Sequence, residues 1–306
     1  MTETASRFTG LSAFPLTPMH DDALDEAAYA RIVSRLADAR VDSITALGST
    51  GAAPYLSREE RATAARLAVE HAGDIPVFVG IGALRTSHVQ ALADDAQEAG
   101  AAGVLLAPLT YQSHTPDDVF GLYADVTRDL SVPLIVYDNP GTTHFVFTDE
   151  LYARIAELPN VASIKIPPIP GRADAAAARI DAVRRRLPAH VTIGISGDAF
   201  ATTALIAGCD AWYSVIAGTL PEPAVAIMRA VRAADAAGAR AASDRFAALW
   251  ALFALHGSLR VVAAIAEQLG LAERSCLPLP IRGLDDEARA EVAAVVAQLA
   301  PDLGLR

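Results

Sequence analysis

The chain has 306 residues and contains very little lysine and cysteine. Lys165 is its single lysine, beside 24 arginines, and Cys209 and Cys276 are its two cysteines. Two cysteines outside any C-x-x-C pair exclude a disulfide framework of the kind that stabilises small secreted domains. They favour a reducing compartment, and we therefore expect a cytoplasmic protein.

Long apolar runs, basic clusters and targeting segments are also missing. No apolar run reaches the ~18 residues of a membrane-spanning helix, so no membrane partner is expected. Residues 1–10 lack the basic and apolar regions of a signal peptide. The formal net charge is −11 and no cluster of arginines stands out, which argues against nucleic acid as a partner.

Several catalytic signatures are absent as well. The seven histidines are scattered and none is paired at ligand spacing, so no metal site is expected. No G-x-S-x-G sequence supplies the nucleophile of a Ser-His-Asp triad. Gly80 and Gly82 follow a predicted strand, but no third glycine opens the next helix, which argues against a dinucleotide site. Only Asp138 and Asp198 lie near strand ends, a poor basis for glycoside hydrolysis.

Short apolar segments alternate with helical segments along most of the chain. The apolar segments are continuous, as in strands that are buried on both faces. Eight strand–helix units favour a closed (β/α)8 TIM barrel over an open doubly wound sheet. The predicted strands cover residues 11–17, 43–47, 75–80, 103–107, 133–137, 161–166, 191–196 and 211–216. The predicted helices include residues 25–40, 57–72, 86–100 and 116–130, and Ser57 and Thr115 are expected to cap two of them.

The strand pattern ends near residue 220. Alanine-rich segments then predict helices over 221–236, 238–255, 258–269 and 285–299, with a loop over 271–284. We therefore expect a catalytic barrel over residues 1–225 and a small C-terminal helical subdomain over 226–306.

Polar side chains at the predicted strand ends are the candidates for chemistry, because barrel enzymes place their sites there. They comprise one amine, two phenols, several hydroxyls and few carboxylates: Thr17, Ser49, Thr50, Thr110, Tyr111, Tyr137, Asp138, Lys165, Ser196 and Asp198. Lys165 lies in the apolar segment 161–167, where a permanent cation is costly to bury. Burial lowers a lysine pKa from its usual value near 10.4, which yields a neutral, nucleophilic amine. Such an amine beside phenols and hydroxyls indicates covalent catalysis on a carbonyl substrate.

The sequence resembles the dihydrodipicolinate synthase / N-acetylneuraminate lyase family of class I, Schiff-base-forming aldolases. The resemblance covers about residues 8–300, and its specificity comes from the order and spacing of several short motifs, including the 28 residues from Tyr137 to Lys165. These motifs are Leu16-Thr17-Pro18, Gly48-Ser49-Thr50-Gly51, Val79-Gly80-Ile81-Gly82-Ala83, Tyr137-Asp138-Asn139-Pro140, Ile164-Lys165 and Ser196-Gly197-Asp198.

The resemblance implies a role for each matching residue. Lys165 is expected to form the Schiff base, and Tyr137 to move protons at the nascent imine. Ser49 and Thr50 are expected to join the proton relay and to hold the pyruvate carboxylate. Tyr111 matches a tyrosine that reaches into a neighbouring subunit's site in some members. Such proteins are usually homotetramers, built as dimers of dimers, and work on a 2-oxo acid and an aldehyde with no metal or other cofactor.

Further positions are expected at the substrate. Gly48 and Gly51 let the backbone approach a ligand, Tyr213 is expected to line the pyruvate pocket, and Ser196 to shape its floor. Thr17 and Asp198 are interpreted as structural, with Asp198 capping its helix, and Asp138 and Asn139 as turn residues.

Three features of the sequence depart from the family pattern. Ala52 stands where many members carry glutamate, and Ile166-Pro167-Pro168 follows the lysine in place of an acidic and small polar sequence. Thr142 stands where the dihydrodipicolinate synthases carry an arginine that grips the carboxylate of aspartate semialdehyde, and a hydroxyl cannot replace a bidentate guanidinium.

Three functions therefore stay open. The first is a pyruvate-dependent aldolase acting on 2-keto-3-deoxy acids. The second is a dehydratase of a 2-keto-3-deoxy sugar acid that uses the same lysine iminium. The third is a non-catalytic 2-oxo acid binding paralogue.

Overall fold

The protein is described by a computed structural model that covers residues 7–299. Its centre is a closed barrel of eight parallel strands in the order β1-β10-β9-β8-β7-β6-β5-β4, which confirms the predicted (β/α)8 architecture. The strands of the described residues are β1 (Gly10–Ala13), β2 (Met19–His20), β3 (Ala23–Leu24), β4 (Ser43–Ala46), β5 (Val77–Gly80), β6 (Gly103–Leu106), β7 (Leu134–Tyr137), β8 (Val161–Ile166), β9 (Thr192–Ile195) and β10 (Ala211–Ser214).

Helices surround the barrel and continue beyond it. They are α1 (Glu26–Asp38), α2 (Arg58–His71), α3 (Thr86–Glu98), α4 (Pro116–Thr127), α5 (Pro140–Thr143), α6 (Asp149–Ala156), α7 (Ala173–Arg184), α8 (Asp198–Ile206), α9 (Pro221–Arg232), α10 (Ala236–Asp244), α11 (Ala247–His256), α12 (Ser258–Gln268) and α13 (Asp286–Leu299). Helix α9 packs against β1, and it runs across residue 225, the boundary predicted between the barrel and the C-terminal helices.

The predicted helix caps are confirmed. Ser57 and Glu60 form a reciprocal capping box at α2, and Thr115 and Asp118 form another at α4. Each box satisfies amide groups that a helix start leaves without partners, so it fixes where the helix begins.

The first strand is shorter than predicted. It ends at Ala13 and not at residue 17, although the Phe14 amide still donates to the Ser214 carbonyl at 3.0 Å. Pro15 follows and has no amide hydrogen, so the ladder cannot continue. The chain instead forms the β2–β3 hairpin, in which Asp21 and Asp22 adopt positive φ angles of 48° and 61°. Aspartate tolerates this backbone region, which two-residue hairpin turns require.

The single helix predicted over 238–255 is wrong. The segment forms α10 and α11, separated at Arg245 and Phe246. The break turns Phe246 into the core, where it is 3% exposed. Within residues 7–299 no single helix is long and apolar enough to cross a membrane, although α11 and α12 reach such a length together across a bend of 118°.

Candidate active site

Lys165 projects from β8, a strand whose six residues are all buried. The side chain is 4% exposed, and its Nζ atom donates a hydrogen bond to Ser196 Oγ. Aromatic rings surround the amine: the ring centroids of Tyr137, Phe14 and Tyr213 lie 4.2, 5.2 and 5.9 Å from Nζ. Ser196, predicted on the pocket floor, therefore lies directly against the lysine amine.

Burial favours the neutral form of Lys165. No carboxylate among the described residues lies within salt-bridge distance of Nζ. Burial lowers the pKa of Lys165 to about 7, while the charges of Asp198 and Asp138 act in the opposite direction. A substantial fraction of the amine is therefore unprotonated near neutral pH, in contrast to an exposed lysine.

Tyr137, the last residue of β7, is at the centre of a short hydrogen-bond chain. Its hydroxyl lies 3.0 Å from Ser49 Oγ and accepts a hydrogen bond of 2.7 Å from Asn139 Nδ2. Burial raises the pKa of Tyr137, and the hydrogen bonds to Ser49 and Asn139 oppose that rise. Ser49 and Tyr137 are therefore brought together as predicted, whereas Asn139, interpreted as a turn residue, contributes a contact that the sequence did not indicate.

The Gly48–Gly51 loop follows β4 and carries Ser49 to the phenol. A Cβ atom at Gly48 would lie 2.6 Å from the Phe14 ring, so a larger residue would push the loop off the strand end. Leu47 and Ala52 flank the loop with positive φ angles of 57° and 49°, which turn the backbone tightly. Thr50 is 3% exposed and its side chain is buried below the loop surface.

Tyr213 forms one wall around the lysine amine. It is 2% exposed, and its hydroxyl is hydrogen-bonded to Ser163 Oγ at 2.8 Å inside the barrel. Gly194, on the neighbouring strand, provides the space for the ring, because a Cβ atom there would lie 2.2 Å from Tyr213 Cε2. The phenol is thus engaged by Ser163, and its ring is the part that faces Nζ.

Asp198 does not cap helix α8, contrary to the interpretation from sequence. Its carboxylate accepts hydrogen bonds from Trp212 Nε1 at 2.9 Å, Ser214 Oγ at 3.0 Å and the Ile216 amide at 2.8 Å. These donors lie on and after β10, so Asp198 joins the start of α8 to the next strand. The carboxylate is fully enclosed, and burial raises its pKa.

Asp138 forms a second buried carboxylate near the lysine. Its Oδ2 atom accepts a hydrogen bond from the Tyr152 hydroxyl, and Oδ1 has no hydrogen-bond partner among the described residues. Burial raises the pKa of Asp138 to about 6. Asp138 is therefore a buried acid with only one of its two oxygens hydrogen-bonded, and it is more than a turn residue.

A cavity of about 670 Å³ opens beside this hydrogen-bond chain. Its lining combines apolar side chains with a few polar groups, namely Ser49, Tyr55, Arg61, His88, Thr110, Tyr137 and Thr142. Thr50, Lys165, Ser196 and Tyr213 do not line this cavity. Ser196 and Tyr213 lie against the lysine amine, and Thr50 is buried in the Gly48–Gly51 loop. The Tyr111 side chain is 88% exposed.

Arg61 is a buried residue of the cavity wall that the sequence analysis did not single out. Its two terminal nitrogens donate to the carbonyl oxygens of Gly82 at 3.0 Å and Gly80 at 2.9 Å. Arg61 therefore supports the end of β5 and the residues that follow it, while its Nε atom has no hydrogen-bond partner among the described residues. Its position in helix α2, a helix with many charged residues, gave no signal of this role.

The fold and site together define a (β/α)8-barrel lyase organised around one buried lysine. A sequence model of the Dihydrodipicolinate synthetase family matches residues 7–299. The chain is 30% identical over 293 residues to the 4-hydroxy-tetrahydrodipicolinate synthase of Azoarcus sp. (strain BH72), a match that covers 95% of this chain and 98% of that protein. The chain belongs to the dihydrodipicolinate synthetase family.

Solved structures of dihydrodipicolinate synthases have the same fold as this chain. The dihydrodipicolinate synthase of Agrobacterium tumefaciens str. C58 is 43% identical, with a TM-score of 0.93 over 97% of this chain and 100% of that one. The chloride-inhibited dihydrodipicolinate synthase of Acinetobacter baumannii, solved with pyruvate, is 25% identical, with a TM-score of 0.86 over 98% and 100%.

Proposed function

We propose that the protein is a Schiff-base-forming aldolase that uses pyruvate, or the pyruvate half of a 2-keto-3-deoxy acid, as its common substrate. The observation that most directly supports this proposal is the environment of the Lys165 amine. The amine is enclosed by three aromatic rings and its pKa is lowered to about 7. An amine of this kind is nucleophilic near neutral pH, and a ketone is the electrophile that it converts into an iminium.

The proposed reaction begins with attack of the neutral Nζ on C2 of the 2-oxo acid. The carbinolamine then loses its hydroxyl group as water, with a proton supplied through Ser49 and Tyr137, and the nitrogen lone pair forms the C=N bond. Loss of a C3 proton gives an enamine, whose C3 adds to an aldehyde; cleavage of a 2-keto-3-deoxy acid is the reverse. The iminium is itself the electron sink, so the proposal requires no metal or organic cofactor.

Borohydride trapping tests the proposal sharply in this chain. Since Lys165 is the only lysine, a reduced pyruvate adduct on an ε-amine can form at one position alone. We expect a stable adduct on the peptide that contains Lys165, and none in Lys165→Arg, whose guanidinium stays protonated. A wild-type protein that gives no adduct at saturating pyruvate would contradict the aldolase and dehydratase proposals alike.

The second substrate is proposed to differ from aspartate semialdehyde. Thr142 lines the cavity, and Arg61, the guanidinium found in its wall, donates its terminal nitrogens to Gly80 and Gly82. The other polar groups of the cavity are hydroxyls and His88, which suit a polyhydroxylated aldehyde or sugar acid. Release of pyruvate from 2-keto-3-deoxy acids would support the aldolase, whereas products that keep the full carbon chain would support the dehydratase.

A homotetramer in which Tyr111 completes a neighbouring site is part of the same proposal. The support is the exposure of three large side chains, Tyr111 at 88%, Leu84 at 64% and Tyr55 at 51%. Oligomers reassembled from Lys165→Arg and Tyr111→Phe subunits provide a test. If Tyr111 acts across the interface, the mixture regains activity that neither parent has. No regain would assign Tyr111 to its own chain or to no catalytic role.

A further inference from the structure

Asn139 occupies a helix N-cap position but does not use its side chain as a cap. It precedes helix α5, and asparagine is among the residues preferred at such positions. Its side chain forms no capping hydrogen bond; Nδ2 instead donates to the Tyr137 hydroxyl at 2.7 Å. The turn itself is maintained by the Asn139 carbonyl, which accepts the amides of Thr142 and Thr143 at 3.0 and 2.9 Å. The side-chain amide is therefore available to donate a hydrogen bond to the Tyr137 hydroxyl.

The donor at Asn139 determines where the phenol proton lies. A tyrosine hydroxyl carries one hydrogen, and this oxygen already accepts a hydrogen bond from Nδ2. Ser49 Oγ, 3.0 Å away, is the other hydrogen-bond partner of this hydroxyl among the described residues, and we assign the phenol hydrogen to it. In this arrangement Ser49 accepts a hydrogen bond from the phenol and can direct its own hydroxyl hydrogen toward the substrate. The three residues form a one-way chain from amide to phenol to serine.

We propose that Asn139 is a positioning residue for the proton relay, which holds the Tyr137 proton on the Ser49 side and stabilises the phenolate formed when that proton moves. The inference rests on the proposed Schiff-base function. When the carbinolamine loses water, Ser49 gives its proton to the departing hydroxyl and takes the proton of Tyr137. The phenolate recovers a proton through Ser49 when C3 of the imine is deprotonated.

The groups around Tyr137 differ in their effect on a phenolate at this residue. Lys165 faces the ring from β8, with Nζ 4.2 Å from its centroid, and the charge of Asp198 acts on that lysine. Asp138, the next residue in the chain, carries a charge that disfavours the phenolate, and Tyr152 is bound to that carboxylate. Ser49 and Asn139 are the two hydrogen-bond partners that favour the phenolate, and Asn139 is the one that must donate.

A double-mutant cycle with Asn139→Leu and Tyr137→Phe tests the proposal. The observable is the rate of borohydride-trapped imine formation from pyruvate. In the wild-type background we expect Asn139→Leu to lower this rate roughly ten- to a hundredfold, as expected for loss of a hydrogen bond to a developing charge. In the Tyr137→Phe background the same change should have no further effect, because the phenolate no longer forms. An equal loss in both backgrounds would overturn the proposal in favour of a structural role.

The pH profile and two controls complete the test. Asn139→Leu and Asn139→Asp should both move the alkaline limb of the rate profile to higher pH, since one removes the donor and the other adds a repelling carboxylate. Thr143→Ala, which loosens the same turn without touching Tyr137, should leave the limb unmoved. An unshifted limb in the Asn139 variants would contradict the inference. Failure of the wild-type protein to form any adduct would instead contradict the aldolase proposal, so the two failures are distinguishable.

Discussion

Tyr137 and Lys165 are directly paired residues of adjacent parallel strands, β7 and β8. Their side chains meet inside the barrel, with Nζ 4.2 Å from the phenol ring centroid. The 27 residues between them supply the crossover that connects two neighbouring parallel strands. This register places the proposed nucleophile and its proton donor together without any contribution from a flexible loop.

Imine formation should depend on pH through the Lys165 amine. With a pKa of about 7, the neutral fraction rises through neutrality, so trapping with pyruvate should slow roughly tenfold between pH 8 and pH 6. Trapping rates measured across this range, with the protein shown to be folded at each pH, provide the check. A rate that continues to rise in proportion to hydroxide above pH 9 would indicate an ordinary lysine.

The buried lysine should also reduce stability. Its pKa is lower in the folded protein than in the unfolded chain, so between about pH 7 and pH 10 the unfolded chain binds the additional proton and stability rises with pH. Below this window the penalty is about 5 kcal/mol. Lys165→Met should therefore unfold at a higher temperature at pH 7 and lose this pH dependence. Lys165→Arg, which keeps the charge, should show no such gain; equal melting temperatures for all three proteins would refute the expectation.

Replacing Tyr137 by phenylalanine should affect rate more than binding. The ring against Lys165 is retained, whereas the hydroxyl that contacts Ser49 and Asn139 is lost. We expect imine formation to slow by about 10²–10⁴-fold, the usual contribution of general acid–base catalysis, with little change in pyruvate affinity. Single-turnover trapping over a range of pyruvate concentrations separates the two quantities. A change confined to affinity would place Tyr137 in binding only.

Loss of the Asp198 carboxylate should destabilise the barrel. Asp198→Ala leaves the Trp212 indole nitrogen and the Ile216 amide buried without acceptors, at a cost of roughly 3–5 kcal/mol. Asp198→Asn keeps the shape and one acceptor, and should cost less. Both changes remove a charge that raises the pKa of Lys165, so the trapping profile should move toward lower pH. Chemical denaturation and pH profiles of the two variants check both parts, and an unchanged profile would show that the charge is screened.

The eight barrel strands could be predicted from the sequence because each is a short, continuous apolar segment followed by a helix pattern. The predicted segments 43–47 and 103–107 differ from β4 and β6 by one residue each. The errors occurred where local pattern was insufficient. Pro15 ends β1 early, and the break before α11 depends on burying Phe246, a requirement that alanine-rich periodicity does not reveal.

Candidate residues at the strand ends could likewise be found from sequence, since parallel strands bring their carboxyl ends to one side of a barrel. The direction of each side chain could not be predicted from sequence. Asn139 is the N-cap residue of its helix and Asp198 is the first residue of its helix, yet the Asn139 side chain donates to Tyr137 and the Asp198 side chain accepts from β10. A capping preference depends on the local sequence alone, and in both cases another contact replaced it. Asn139 contacts Tyr137, 2 residues away, and Asp198 contacts Trp212, 14 residues away on the next strand of the barrel.

The sequence by itself determined the barrel, the family and the single amine on which the proposed chemistry depends. Composition isolates Lys165, and periodicity places it in a buried strand, because both properties are local to the chain. The tertiary structure alone decided what surrounds that amine. Three aromatic rings, Ser196 and two buried carboxylates surround it, and they come from four strands, β1, β7, β9 and β10, or from the segments that follow them. Desolvation depends on this enclosure, and the lowered pKa of Lys165 is therefore a property of the fold.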